Sequence, residues 1–122
     1  MLRKTTKPRD NFELRSWYFM RVSGALIVVL VMIHLAFVHF VHGVDEIDTK
    51  FVLNRWANPT WRLLDFSLLF LALLHGANGM RILIDDYIHA KGWRTVILTG
   101  LYTLTISLLV LGGLVMLTSQ PR

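Results

Sequence analysis

With no cysteine in the chain, its five histidines are the side chains best suited to hold a soft metal. His75 opens the run His75-Gly76-Ala77-Asn78-Gly79-Met80-Arg81, and Asp85-Asp86-Tyr87 follows. At about 100° per residue, His75, Asn78, Gly79, Ile82 and Asp86 fall on one helix face. Gly79 stands one turn from His75 and removes the bulk that would obstruct a flat group beside the imidazole. A neutral imidazole, a flat slot and a second histidine across the ring are what bis-histidine haem ligation needs. The same residues also suit a plainer role, in which His75 hydrogen-bonds a neighbouring helix and the glycines allow close packing.

His34 is the second histidine far from any charge, in Val31-Met32-Ile33-His34-Leu35-Ala36-Phe37. Level outer helix ends and about 1.5 Å of rise per residue put it roughly 13 Å from Gly43, and His75 roughly 22 Å from Thr60, an offset of roughly 9 Å. Ligands of one upright haem should be nearly level. If both histidines bind iron, each therefore needs a partner from another chain, and two haems lie at different depths. His39, His42 and His89 fall toward the ends of the apolar stretches, where the interface or water accounts for them. Arg21 and Arg81 sit near one boundary, where an arginine either snorkels to headgroups or pairs with an anion such as a haem propionate. Asp86 and Tyr87 close the same stretch. A phenol beside a carboxylate can hydrogen-bond a quinone carbonyl and supply protons, although a solvated helix end explains them as well.

The elements that must position these groups follow from the distribution of charge. The chain has 122 residues, 54% apolar and 17% charged, against about 25% charged in soluble domains. Asp, Glu, Lys and Arg are absent from 22–44, 66–80 and 95–121. The first and last gaps exceed the roughly 18 apolar residues that indicate a spanning helix. The expected architecture is all-α and membrane-integral, with three transmembrane helices over about 17–42, 60–88 and 93–118. A segment 1–16 precedes them and a tail 119–122 follows. Trp17, Tyr18, Trp56 and Trp61 mark interfaces, and Pro59 suits a first helical turn. Gly100, Ser107, Gly112 and Gly113 would let another helix approach span three closely. The first apolar stretch is too long for a signal peptide and lacks a cleavage site.

The net charge of +5 does not call for nucleic acid, because basic residues flanking spans set orientation. Arg3, Lys4, Lys7, Arg9, Arg15, Arg21, Arg81, Lys91 and Arg94 fall on one side, against Lys50, Arg55, Arg62 and Arg122 on the other. The positive-inside rule then places the N-terminus and second loop in the cytoplasm, and the first loop and C-terminus outside. The missing cysteines exclude iron–sulfur ligation and covalent haem attachment by this chain.

Met20-Arg21-Val22-Ser23-Gly24, His34, the His75–Arg81 run and Asp86-Tyr87 together resemble the smaller membrane anchor of succinate dehydrogenase, succinate:quinone oxidoreductase or complex II, from about Phe12 to Leu117. The resemblance implies a subunit without independent catalytic activity in the bacterial inner membrane. It would bundle with a second anchor subunit and carry a flavoprotein and an iron–sulfur subunit. It also implies haem b and a quinone site on the cytoplasmic side. His75 would be an axial haem ligand, Arg21 a propionate partner, Tyr87 a hydrogen-bond donor to the quinone, and Asp86 its support or proton supply. His34 and His75 lie 41 residues apart, the separation of the two-haem members, in which His34 would serve the outer haem. A cofactor-free scaffold or transporter subunit is the rival reading.

Overall fold

The computed structural model of the chain describes residues 11–119. The basic residues Arg3, Lys4, Lys7, Arg9 and Arg122, and with them most of the expected terminal segments, lie outside the described residues. Helix α1 covers Asn11–Ala36 and continues through a π-helical turn over Phe37–Val41. Gly43, at φ +68°, reverses the chain into a 3₁₀ turn, Val44–Glu46. A short helix α2 (Thr49–Ala57) leads to α3 (Pro59–Tyr87) and α4 (Lys91–Thr118). No strand occurs among the described residues.

Local chemistry accounts for the helix starts. The Asp48 carboxylate accepts from Phe51 N at 2.7 Å and caps α2. The Asn58 side chain accepts from Thr60 N at 2.9 Å and caps α3, with Pro59 in the first turn, where a missing N–H costs nothing. Three helices, Asn11–Val41, Pro59–Tyr87 and Lys91–Thr118, are long and apolar enough to cross a membrane. The first begins at Asn11, ahead of the expected Trp17, because the mixed segment Asn11–Arg15, with charged Glu13 and Arg15, stays helical ahead of the apolar stretch.

Packing is inverted relative to a soluble protein. Val38, Ala77, Ile84 and Met116 are the buried hydrophobic residues among those described, and large apolar side chains along α1 and α4 are exposed. The most deeply buried side chain is Ser23, at 2% exposure, and Ser16, Arg55, Arg81 and Thr105 are buried too. Lipid solvates the apolar exterior, so helices associate through small residues and hydrogen bonds. On α4 the hydroxyls of Thr95, Thr99, Thr105, Ser107 and Thr118 donate to carbonyls four residues earlier, which satisfies them without a partner helix.

Helix α3 is central, packed against α1 on one flank and α4 on the other. Against α4, the small residues Gly112 and Gly113 admit Leu69 and Phe66, and a Cβ at Gly112 would collide with Leu69. Against α1, polar rungs set an antiparallel register: Ser16 with Asn78 and Arg81, Ser23 with His75, and His34 with Asp65. At about 1.5 Å per residue the 29-residue α3 is about 43 Å long, some 13 Å more than a hydrocarbon core. Centred on that core, Asp65 and Arg81 lie just inside opposite boundaries.

Candidate functional site

The two membrane histidines occupy separate levels between α1 and α3. His75 Nδ1 lies 2.8 Å from Ser23 Oγ. That hydroxyl also reaches Met20 O at 3.4 Å. Spending its proton on the carbonyl leaves its lone pairs to accept the Nδ1–H of His75. A Cβ on Gly24 would stand 3.3 Å from His75 Cε1, so this glycine provides the room for the ring. Gly79, expected to clear a slot beside the imidazole, instead faces Met20 of α1, whose methyl would lie 3.4 Å from an added Cβ. Gly76 borders open space.

His34 Nδ1 lies 3.1 Å from Asp65 Oδ1. The same carboxylate accepts from Arg55 Nη2 at 2.8 Å and from Trp56 Nε1 at 3.0 Å. The buried Arg55 guanidinium packs against the Phe37 and Trp61 rings, its Cζ 5.0 and 4.8 Å from their centroids, which are themselves 4.1 Å apart. The rung at His34 and Asp65 is separated from that at Ser23 and His75 by eleven residues of α1 and ten of α3, about 15 Å of helix. The sequence estimate of roughly 9 Å assumed level helix ends. In the structure nine residues separate His34 from Gly43 but only six separate Pro59 from Asp65, so α1 reaches farther. The two imidazoles are not brought to one iron.

Both histidines have Nδ1 occupied, and neither Nε2 makes a hydrogen bond among the described residues. This is the donor chemistry of an axial ligand: Nδ1–H held by an acceptor sets the tautomer and orientation, leaving the Nε2 lone pair for metal. Each level therefore offers one imidazole with a ring nitrogen available to a metal.

At the other end of α3, Arg81 is 8% exposed. Its Nε donates to Asn78 Oδ1 at 3.1 Å, Nη1 to Asp85 Oδ2 at 3.2 Å and Nη2 to Ser16 Oγ at 3.2 Å. Every guanidinium nitrogen is thus held by protein. Arg21 instead lies exposed, its guanidinium 4.6 Å from the Trp17 ring centroid. Asp85 also faces Arg94 at 3.9 Å, which offsets the unfavourable placement of acid at a helix C-terminus. Asp86 and Tyr87 are exposed, Tyr87 by 79%. A cleft of about 480 Å³ opens between α1, α3 and α4, with Phe12, Arg15, Phe19, Leu74, Ala77 and Tyr102 in its wall. His42 packs edge-on against Phe37 and Phe51, while His39 and His89 are exposed.

Ser16, Ser23, Arg55 and Asp65 were not singled out by sequence reasoning as site residues. Asp65 had a signal: an acidic residue six positions inside a spanning helix demands a buried partner. Ser23 entered only as part of the Met20–Gly24 run that carries the resemblance, with nothing to indicate its contact to His75.

The architecture is that of an all-α, multi-pass membrane protein with polar side chains gathered between its helices. The chain belongs to the succinate dehydrogenase/fumarate reductase transmembrane subunit family, whose model matches residues 2–118. Membership implies a complex II assembly with other subunits. A comparison with individual characterised proteins gives no match.

Proposed function

We propose that this chain is a haem-binding anchor that helps pass electrons from an iron–sulfur subunit to membrane quinone. The observation that carries the reading is the His75–Ser23 pair, an imidazole at membrane depth with Nδ1 held at 2.8 Å and Nε2 left for iron. In this reading His75 would hold haem b through Nε2, together with a histidine of a second anchor subunit. His34 does the same for a second haem at the opposite level. Haem, when bound, supplies one-electron chemistry, and its potential follows from bis-imidazole ligation and dry surroundings.

The chain's own residues hold and orient. Gly24 gives the His75 ring its room, Arg21 pairs with a propionate, and Arg81 and Gly79 serve from inside the bundle by holding α3 against α1. At the end of α3, Tyr87 donates its phenolic O–H to a quinone carbonyl, and Asp86 relays protons from water. The basic flanks support a cytoplasmic location for that end in a bacterial inner membrane. The flavoprotein and iron–sulfur subunit would dock there.

The test is the visible spectrum of the purified, dithionite-reduced complex. His75→Ala is expected to abolish one b-type α-band contribution. An unchanged band removes His75 from the ligand set. His34→Ala with a pyridine haemochrome count per flavin tests the second haem in the same way.

A further inference from the structure

We infer that Asp65 is the positioning residue for His34, and that through it the short helix α2 sets the electron affinity of an iron held there. The inference rests on the proposed ligand role of His34 but adds a residue and a mechanism to it. Asp65 sits on α3 with a side chain 11% exposed. From α3 it is the acceptor for three N–H donors on two other elements: His34 on α1, and Arg55 and Trp56 on α2. A carboxylate offers only acceptors, so the contact at 3.1 Å requires the proton on His34 Nδ1. Nε2 is left as the ligating nitrogen. A carboxylate behind a ligating imidazole raises its basicity, which stabilises ferric over ferrous iron.

Arg55 and Trp56 act in the opposite sense, because each hydrogen bond they donate draws charge away from the carboxylate. They come from the connection between α1 and α3, outside the three spanning helices. Arg55 packs against the touching rings of Phe37 and Trp61, and Phe37 begins the π-helical turn that directly follows α1. Ligand, positioning carboxylate and connecting helix thus form one unit. His75 has only a hydroxyl in the corresponding place. Asp65 therefore distinguishes the two levels chemically.

The experiment is redox potentiometry of the haems in the intact purified complex, with haem counted per flavin. Asp65→Asn keeps the shape and removes the charge. The expected result is retained haem with the His34-linked potential raised by about 59 mV, a tenfold loss of ferric preference for a one-electron couple, and the other potential unmoved. Trp56→Phe, which withdraws one donor from the carboxylate, should shift the same potential down and covers the case in which Asp65→Asn fails to assemble. Potentials unmoved in both variants, while His34→Ala loses one haem, overturn the positioning role and leave the ligand reading standing. A full haem count in His34→Ala overturns both.

Discussion

Ser23 Oγ and His75 Nδ1 are 2.8 Å apart at the most deeply buried side chain of the described residues. The pair joins α1 to α3, and with the Ser23 hydroxyl turned to Met20 O it favours the proton on Nδ1 of the imidazole. Ser23→Ala removes the acceptor and leaves a buried N–H without a partner, at a cost of about 1–3 kcal/mol. The expected outcome is a lower melting temperature of the detergent-solubilised complex, with a broadened or shifted reduced α-band. A band and melting temperature identical to the parent would show that His75 is oriented by something else.

Gly24 and Gly76 make a matched pair of probes. A Cβ at Gly24 meets His75 Cε1 at 3.3 Å, whereas at Gly76 nothing lies within 4 Å. Gly24→Ala is expected to tilt the ring and lower haem retention. Gly76→Ala should be neutral or stabilising by about 0.5–1 kcal/mol, the usual gain of Ala over Gly inside a helix. Haem per flavin in the two variants checks this, and equal behaviour would contradict the crowding argument.

Gly112 reports on the other interface of α3. Its hydrogen faces Leu69 so closely that an added methyl collides with it, while Gly113 has Phe66 at 3.6 Å. Gly112→Ala is expected to cost about 1–3 kcal/mol as overpacking, and Gly113→Ala much less. Thermal unfolding of both variants should preserve that order. A double variant, Gly112→Ala with Leu69→Ala, should recover part of the loss.

Charge-poor stretches were enough to read three spans from the sequence, because lipid tolerates few charges; the first and last charge-free stretches are long enough to cross it, and Pro59 and Trp61 marked the entry of the shorter middle one. The positions of His34 and His75 at membrane depth were legible for the same reason. Their partners were not. Ser23 is a small residue in an apolar run, and only the register of α1 against α3 reveals that it meets His75. Asp65 lay inside the expected second span, just ahead of its charge-free stretch, and its type alone did not say what it would meet. Arg55, in the loop by sequence, folds back to neutralise it. Periodicity along one helix carries no information about which residue of another helix lies opposite, and pairwise chemistry of that kind emerges only with tertiary packing.

Arg81 should be the most costly single residue to lose at its end of the bundle. All three guanidinium nitrogens are engaged, by Asn78, Asp85 and Ser16, and the ring of Phe12 lies 5.2 Å from its Cζ. Removing one partner of a buried charged network typically costs about 3–5 kcal/mol. Arg81→Leu is expected to reduce assembled complex in the membrane severely. Arg81→Lys should rescue only partly, because one ammonium cannot span the fork of partners. Full rescue by lysine, measured as assembled flavin per membrane protein, would mean that charge alone matters.

Tyr87 offers the cleanest separation of chemistry from stability. Its side chain is exposed by 79% and makes no hydrogen bond among the described residues, so Tyr87→Phe changes the fold little. Under the proposed function the phenolic O–H meets a quinone carbonyl, and a neutral hydrogen bond contributes about 0.5–1.5 kcal/mol. Losing it predicts a fall of about two- to tenfold in kcat/KM for quinone. Succinate oxidation with an artificial acceptor, which bypasses the anchor, should be unchanged. Asp86→Asn should lower quinone reduction by limiting proton delivery, again sparing the artificial-acceptor assay. Equal loss in both assays would trace the defect to assembly and remove Tyr87 from the quinone site, while unchanged quinone kinetics would assign the phenol to the solvated end of α3.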